Sequence, residues 1–116
     1  MDTLSLCNQI AKKSSLLTSI VNNTKEAFLI FSQTAEEIIK QMQKQTPETK
    51  FVFQNKSDLE FEIRFGEDIL IFTMHTNIFE FSRQHEVMKL PYVTQDKERS
   101  FCGMINIYNF LSDSFD

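Results

Sequence analysis

Apolar residues along the first 46 positions recur in an alternating four-three step: Leu17, Val21, Thr24, Phe28, Phe31, Ala35, Ile38 and Met42. That spacing is one face of a helix. No Gly or Pro interrupts it until Pro47 in "QTPETK", which disfavours helix at Thr46 and supplies no backbone donor. Residues 1–46 are therefore expected to be helical. After Pro47 the period changes to two. In "DLEFEIRFGED", Leu59, Phe61, Ile63 and Phe65 alternate with Glu60, Glu62 and Arg64. This is the pattern of a half-buried strand with one apolar and one charged face.

Phe51 and Phe53 precede that strand across "QNKSD"; "ILIFTMH" follows across "GED", and "IFEFS" follows across "TN". Short links rich in Asn, Asp, Ser and Gly predict four antiparallel strands in a meander over 51–82. "ILIFTMH" is apolar at nearly every position, which suits a central strand covered on both sides. Residues 83–100 are mostly polar, contain Pro91 and are expected to form an extended connection. Met104, Ile107, Leu111 and Phe115 recur at helical spacing, as do Asn106, Asn109 and Asp113, so 103–115 is expected to close the chain as a helix.

One turn of the first helix breaks its own pattern. In "AFLIF", Phe28 and Phe31 fall on the apolar stripe, whereas Leu29 and Ile30 land among Glu26, Gln33, Glu37 and Lys40. "VNNTKE" resembles a capping box, with Asn23 three residues before Glu26. A turn at Asn22–Asn23 would fold Leu29 and Ile30 against Leu16 and Leu17 in an antiparallel hairpin. The rival is one helix from about Thr3 to Gln45, roughly 65 Å long at ~1.5 Å per residue. Its flanks include Ile20, Ala27, Ser32 and Ile39, giving a stripe too wide for a coiled-coil seam and suited to a sheet. The hairpin is the favoured reading. The fold class is α+β in one domain: an N-terminal helical layer, as a two-helix hairpin or one long helix, on a four-stranded antiparallel meander, then a C-terminal helix.

The 116 residues leave room for one core, and 41% apolar with 24% charged residues fits a globular chain. No apolar run approaches the roughly 18 residues that a membrane span needs. The N-terminus has its basic pair after its apolar residues, the wrong order for a secretory signal. A cytoplasmic protein with two unpaired thiols, Cys7 and Cys102, is expected. Residues 1–50 carry six Lys and five acids, and residues 51–116 carry six Lys/Arg and eleven acids. With Lys12–Lys13 the only adjacent basic pair, nucleic acid is not an expected partner.

Candidate chemistry is sparse. No two of His75, His85, Cys7 and Cys102 lie at zinc-ligand spacing, so neither metal nor cofactor is expected. Cys102 before Gly103 is a weak nucleophile motif that reads more simply as a small core residue. Glu60/Glu62 and Glu67–Asp68 are paired carboxylates of a kind any acidic strand face supplies. Two glycines, Gly66 and Gly103, exclude a phosphate loop. Eight of the twelve phenylalanines lie in residues 51–101, and a core between sheet and helix accounts for them.

The expected function is a non-enzymatic module that binds another protein or itself as a homo-oligomer. Its candidate interaction surface is Leu29, Ile30, Glu60, Glu62 and Phe115. The alternative is a small-molecule-binding or enzymatic domain using the Phe-rich sheet with 83–100 as a lid. In size, acidity and order of helix then meander, the chain resembles in outline the dimeric secretion chaperones that hold an unfolded client, though without a shared motif. Its four-strand run before the last helix departs from their alternation.

Overall fold

The computed structural model describes residues 2–111, so Phe115 lies outside the described residues. Its elements are α1 (Thr3–Gln45), β1 (Phe51–Ser57), β2 (Glu60–Phe65), β3 (Asp68–Met74), β4 (Phe79–Glu80), α2 (Pro91–Thr94), β5 (Phe101–Cys102) and β6 (Ile105–Leu111). The described residues group into two units, 25–75 with 105–111, and 2–24 with 76–104. The fold class is α+β: one long helix and a four-stranded antiparallel sheet.

The favoured hairpin is not what forms. α1 runs through Asn22–Asn23 without a break, so Leu29 and Ile30 find no hairpin partner in Leu16 and Leu17. Asn lowers helix propensity by only about half a kcal/mol, and with no Gly or Pro nearby this does not offset the backbone bonds that a turn would forfeit. The cap lies instead at the start, where Asp2 Oδ1 accepts from the Ser5 N–H at 2.6 Å. The far end is closed by Gln43. Its Nε2 donates to the Thr49 carbonyl at 2.8 Å, and its Oε1 accepts from the Phe51 N–H at 2.9 Å. One side chain thus ties the last helical turn to the start of β1.

In the unit of residues 25–75 and 105–111, the sheet order is β1-β2-β3-β6, every pair antiparallel. The β2–β3 turn is made by Gly66 at φ 56°, a conformation that costs glycine nothing. The period-two reading of β2 holds. Phe61 is 0% exposed and Ile63 is buried, in a core with Phe28, Ile39 and Met74. Phe61 packs within 5.2 Å of the Phe28 ring, 5.6 Å of Phe53 and 4.4 Å of Phe72, measured between centroids.

Two expectations about the sheet are corrected together. Residues 105–111 form a strand and not a helix, and they pair with β3 along its full length from Asp68↔Leu111 to Met74↔Ile105. β3 is apolar on both faces and needs a neighbour on each side, and "INIYNFL" supplies β-branched and aromatic residues for that position. Tertiary pairing outweighs a helical spacing that was shared with no caps. "IFEFS" therefore does not complete the meander. Only Phe79–Glu80 is strand, paired with Phe101–Cys102 in a separate two-stranded ladder.

That ladder belongs to the unit of residues 2–24 and 76–104. Here 83–100 is not extended, as expected, but a series of short helical turns at 86–89, 91–94 and 97–100. Each has a local cause. His85 Nδ1 accepts from the Val87 N–H, Pro91 opens α2, and Asp96 Oδ1 accepts from the Glu98 N–H. Val93 is buried beneath them. Gly103 meets α1 so closely that a Cβ there would lie 2.8 Å from Thr24 Cβ.

Candidate interaction surface

The helix meets the sheet along one edge of its apolar stripe. With Phe28 set to zero and about 100° per residue, Ile39 lies near +20° and Ala35 near −20°. These three face the sheet: Phe28 and Ile39 are buried, and Ala35 packs against the core. Met42, Phe31 and Ile38 lie at about −40°, −60° and −80°, and they turn along the flank. They are 39%, 51% and 48% exposed.

Beside that flank, helix and sheet leave an opening. Phe31, Ala35, Ile38 and Met42 on α1, with Ile63 and Phe65 on β2 and Leu70 and Phe72 on β3, line an open groove of about 300 Å³. Thr34 is the one lining residue with a polar side chain. On the same sheet face, Ile107 and Leu111 of β6 are both 58% exposed. The exposed flank of α1, the groove, and Ile107 and Leu111 are the apolar surface of this face.

Of the five residues singled out from the sequence, the four that are described do not come together. Leu29 and Ile30 are exposed on the solvent side of α1, away from the stripe. Glu60 and Glu62 lie on the opposite sheet face, in register with Thr73 and Ile71. Glu62 is not solvated: it is 6% exposed, 3.1 Å from Arg64 Nε and 3.9 Å from Lys56 Nζ. Cross-strand neighbours bury it, because that face also carries Val52, Ile69, Ile71, Tyr108 and Phe110. Ile69 there is only 1% exposed. The apolar groove was missed in the sequence, where Phe31, Ile38 and Met42 read as buried stripe. Which edge of a wide stripe meets the sheet is not a property of periodicity.

Residues considered for chemistry are dispersed. Cys7 is exposed on α1, and Cys102 is half-buried in β5 beside the Gly103 packing point; both thiols are free. His75 Nε2 pairs with Asn106 Nδ2, and His85 caps a helical turn with its ring 4.9 Å from Phe81. No three His, Cys, Asp or Glu converge on a metal site among the described residues. Within residues 2–24 and 76–104, a cleft of about 610 Å³ runs between Lys13, Leu17 and Val21 of α1 and Asn77, Glu80 and Phe101. Its lining holds one cation, one carboxylate and the hydroxyls of Thr18 and Thr76, with no Ser, Cys or His. No helix of the described residues is long and apolar enough to cross a membrane. Comparison with known proteins finds no matching family model, no matching curated protein and no matching solved structure.

Proposed function

We propose that this chain is a non-enzymatic interaction module whose partner is another protein or a second copy of itself. One observation carries the reading: the groove between α1 and the sheet, apolar at every lining side chain but Thr34. Covering the exposed half of one such side chain, roughly 80–100 Å², contributes about 2 kcal/mol. Three exposed flank residues beside the groove thus offer an apolar contact of several kcal/mol. A small-molecule site needs a few placed polar groups to fix its ligand. The groove offers one hydroxyl, which favours a protein surface over a ligand.

Ile38→Glu tests this. At 48% exposure the side chain tolerates a charge, so the melting temperature should stay within a few degrees of the wild type. Binding of a purified protein partner at the groove should be lost. A fall in stability of several kcal/mol with unchanged association would mean that Ile38 belongs to the core and that the groove is not a docking surface.

A further inference from the structure

We infer that two copies of this chain pair through β6, edge to edge and antiparallel about a two-fold axis, to form one continuous sheet of eight strands, four from each copy. The inference rests on the reading that the chain binds a protein or a second copy of itself, and it assigns the second copy to an edge other than the groove.

β6 ends the strand order, and no described strand pairs with its second edge. Open edges invite pairing, and proteins that keep them open place charge, proline or a bulge there. The two edges of this sheet differ in that respect. β1 carries Lys56, and its register slips between Asn55 and Ser57. β6, "INIYNFL", has no charge, no proline and an unbroken seven-residue register against β3. From Ile107 to Leu111 it is exposed throughout. One edge is guarded and the other is not.

Closure selects the occupant. Pairing β6 with the partner's β1 would be head-to-tail and would grow without end, and the bulge and Lys56 oppose it. Pairing β6 with itself closes after two copies. Because β6 is uncharged, the antiparallel pair sets no like charges opposite one another. The register that uses all seven residues is centred on Tyr108. Ile105 then stands opposite the partner's Leu111, and Ile107 opposite the partner's Asn109, on the face that carries α1. On the other face Tyr108 stands opposite the partner's Tyr108.

That self-opposition gives the test. Tyr108 is 45% exposed, so Tyr108→Lys and Tyr108→Glu can be made without opening the core. Each variant sets like charges opposite each other across the axis. Mass should be followed against concentration by light scattering. The wild type should reach twice 13.6 kDa, and each variant alone should need about tenfold more protein to do so. An equimolar mixture of the two should return to the wild-type concentration, because Lys then faces Glu. A wild type that stays at the mass of one chain, or variants that dimerise as readily as it does, overturns the proposal. If circular dichroism shows either variant unfolded, Asn109→Lys on the exposed opposite face replaces them: it sets an ammonium against the partner's Ile107, with the partner's Lys on the diagonal, and should also raise the protein concentration needed. Ile38→Glu separates the two readings: it should keep the doubled mass. Should Ile38→Glu be monomeric while the Tyr108 variants remain dimers, the groove is the interface and the β6 proposal fails while the interaction reading stands.

Discussion

Phe61 is the residue on which the sheet-to-helix core turns. Three phenylalanine rings surround it and none of its surface reaches solvent. Phe61→Ala should cost about 3–5 kcal/mol, read as a shift of the denaturant midpoint, because the cavity cannot collapse between a helix and a sheet. Glu62 alternates with it but is no bystander. Its carboxylate is buried and paired, yet Arg64 and Lys56 keep 42% and 39% of their side-chain surface exposed. Glu62→Ala should therefore cost about 1 kcal/mol, more than a solvated position and less than a fully buried pair. Gly103 presents the opposite case, a position defined by absence. Gly103→Ala should destabilise by about 1–3 kcal/mol through its clash with Thr24. Thr24→Ala in the same chain should recover part of that loss, and melting of the two single variants and the double variant measures the coupling. Additive losses would mean that the two residues do not share the contact.

At the scale of elements, the sequence was informative wherever one pattern stood alone. β2 could be read because Phe61 and Ile63 alternate with Glu60 and Glu62, and no helical spacing competes. The helical character of residues 3–45 was equally plain. What was misread needed information from elsewhere in the chain. The capping box at Asn23 and Glu26 is a local signal, but a continuous backbone ladder outweighs it. The helical spacing of Met104, Ile107 and Leu111 is real, yet the bare edge of β3 recruits the segment as a strand. The same recruitment displaced "IFEFS" from the meander. Leu29 now discriminates between the two helix readings. Leu29→Glu should change stability by under about 0.5 kcal/mol, since the side chain is 56% exposed on a continuous helix. A loss of several kcal/mol in thermal melting would restore the hairpin. Gln43 was not legible at all, because a polar residue in a polar helix end carries no pattern. Gln43→Ala should cost about 1–2 kcal/mol by removing the acceptor for the Phe51 N–H and the donor to Thr49. Gln43→Glu keeps the acceptor and should recover part of it.

For the whole molecule, the candidate surface was the least legible part. In a sequence, unpartnered apolar residues show only as breaks in a stripe, as Leu29 and Ile30 do. The larger open surface lies within the stripe, at Phe31, Ile38 and Met42, and on strands whose sheet positions were not known. The unguarded edge of β6 was hidden for a simpler reason: the segment was expected to be a helix, and a helix has no edge. Residues 105–111 form a strand, and in the proposed dimer its outer edge takes a second copy. Backbone amide hydrogen exchange of the wild-type chain, residue by residue and at two concentrations, tests both halves at once. In dilute protein, alternate amides of β6 should be protected by β3 while the others exchange freely. In concentrated protein all of them should become protected. Alternating protection at both concentrations would contradict pairing between copies, and uniformly fast exchange across 105–111 would contradict the strand itself.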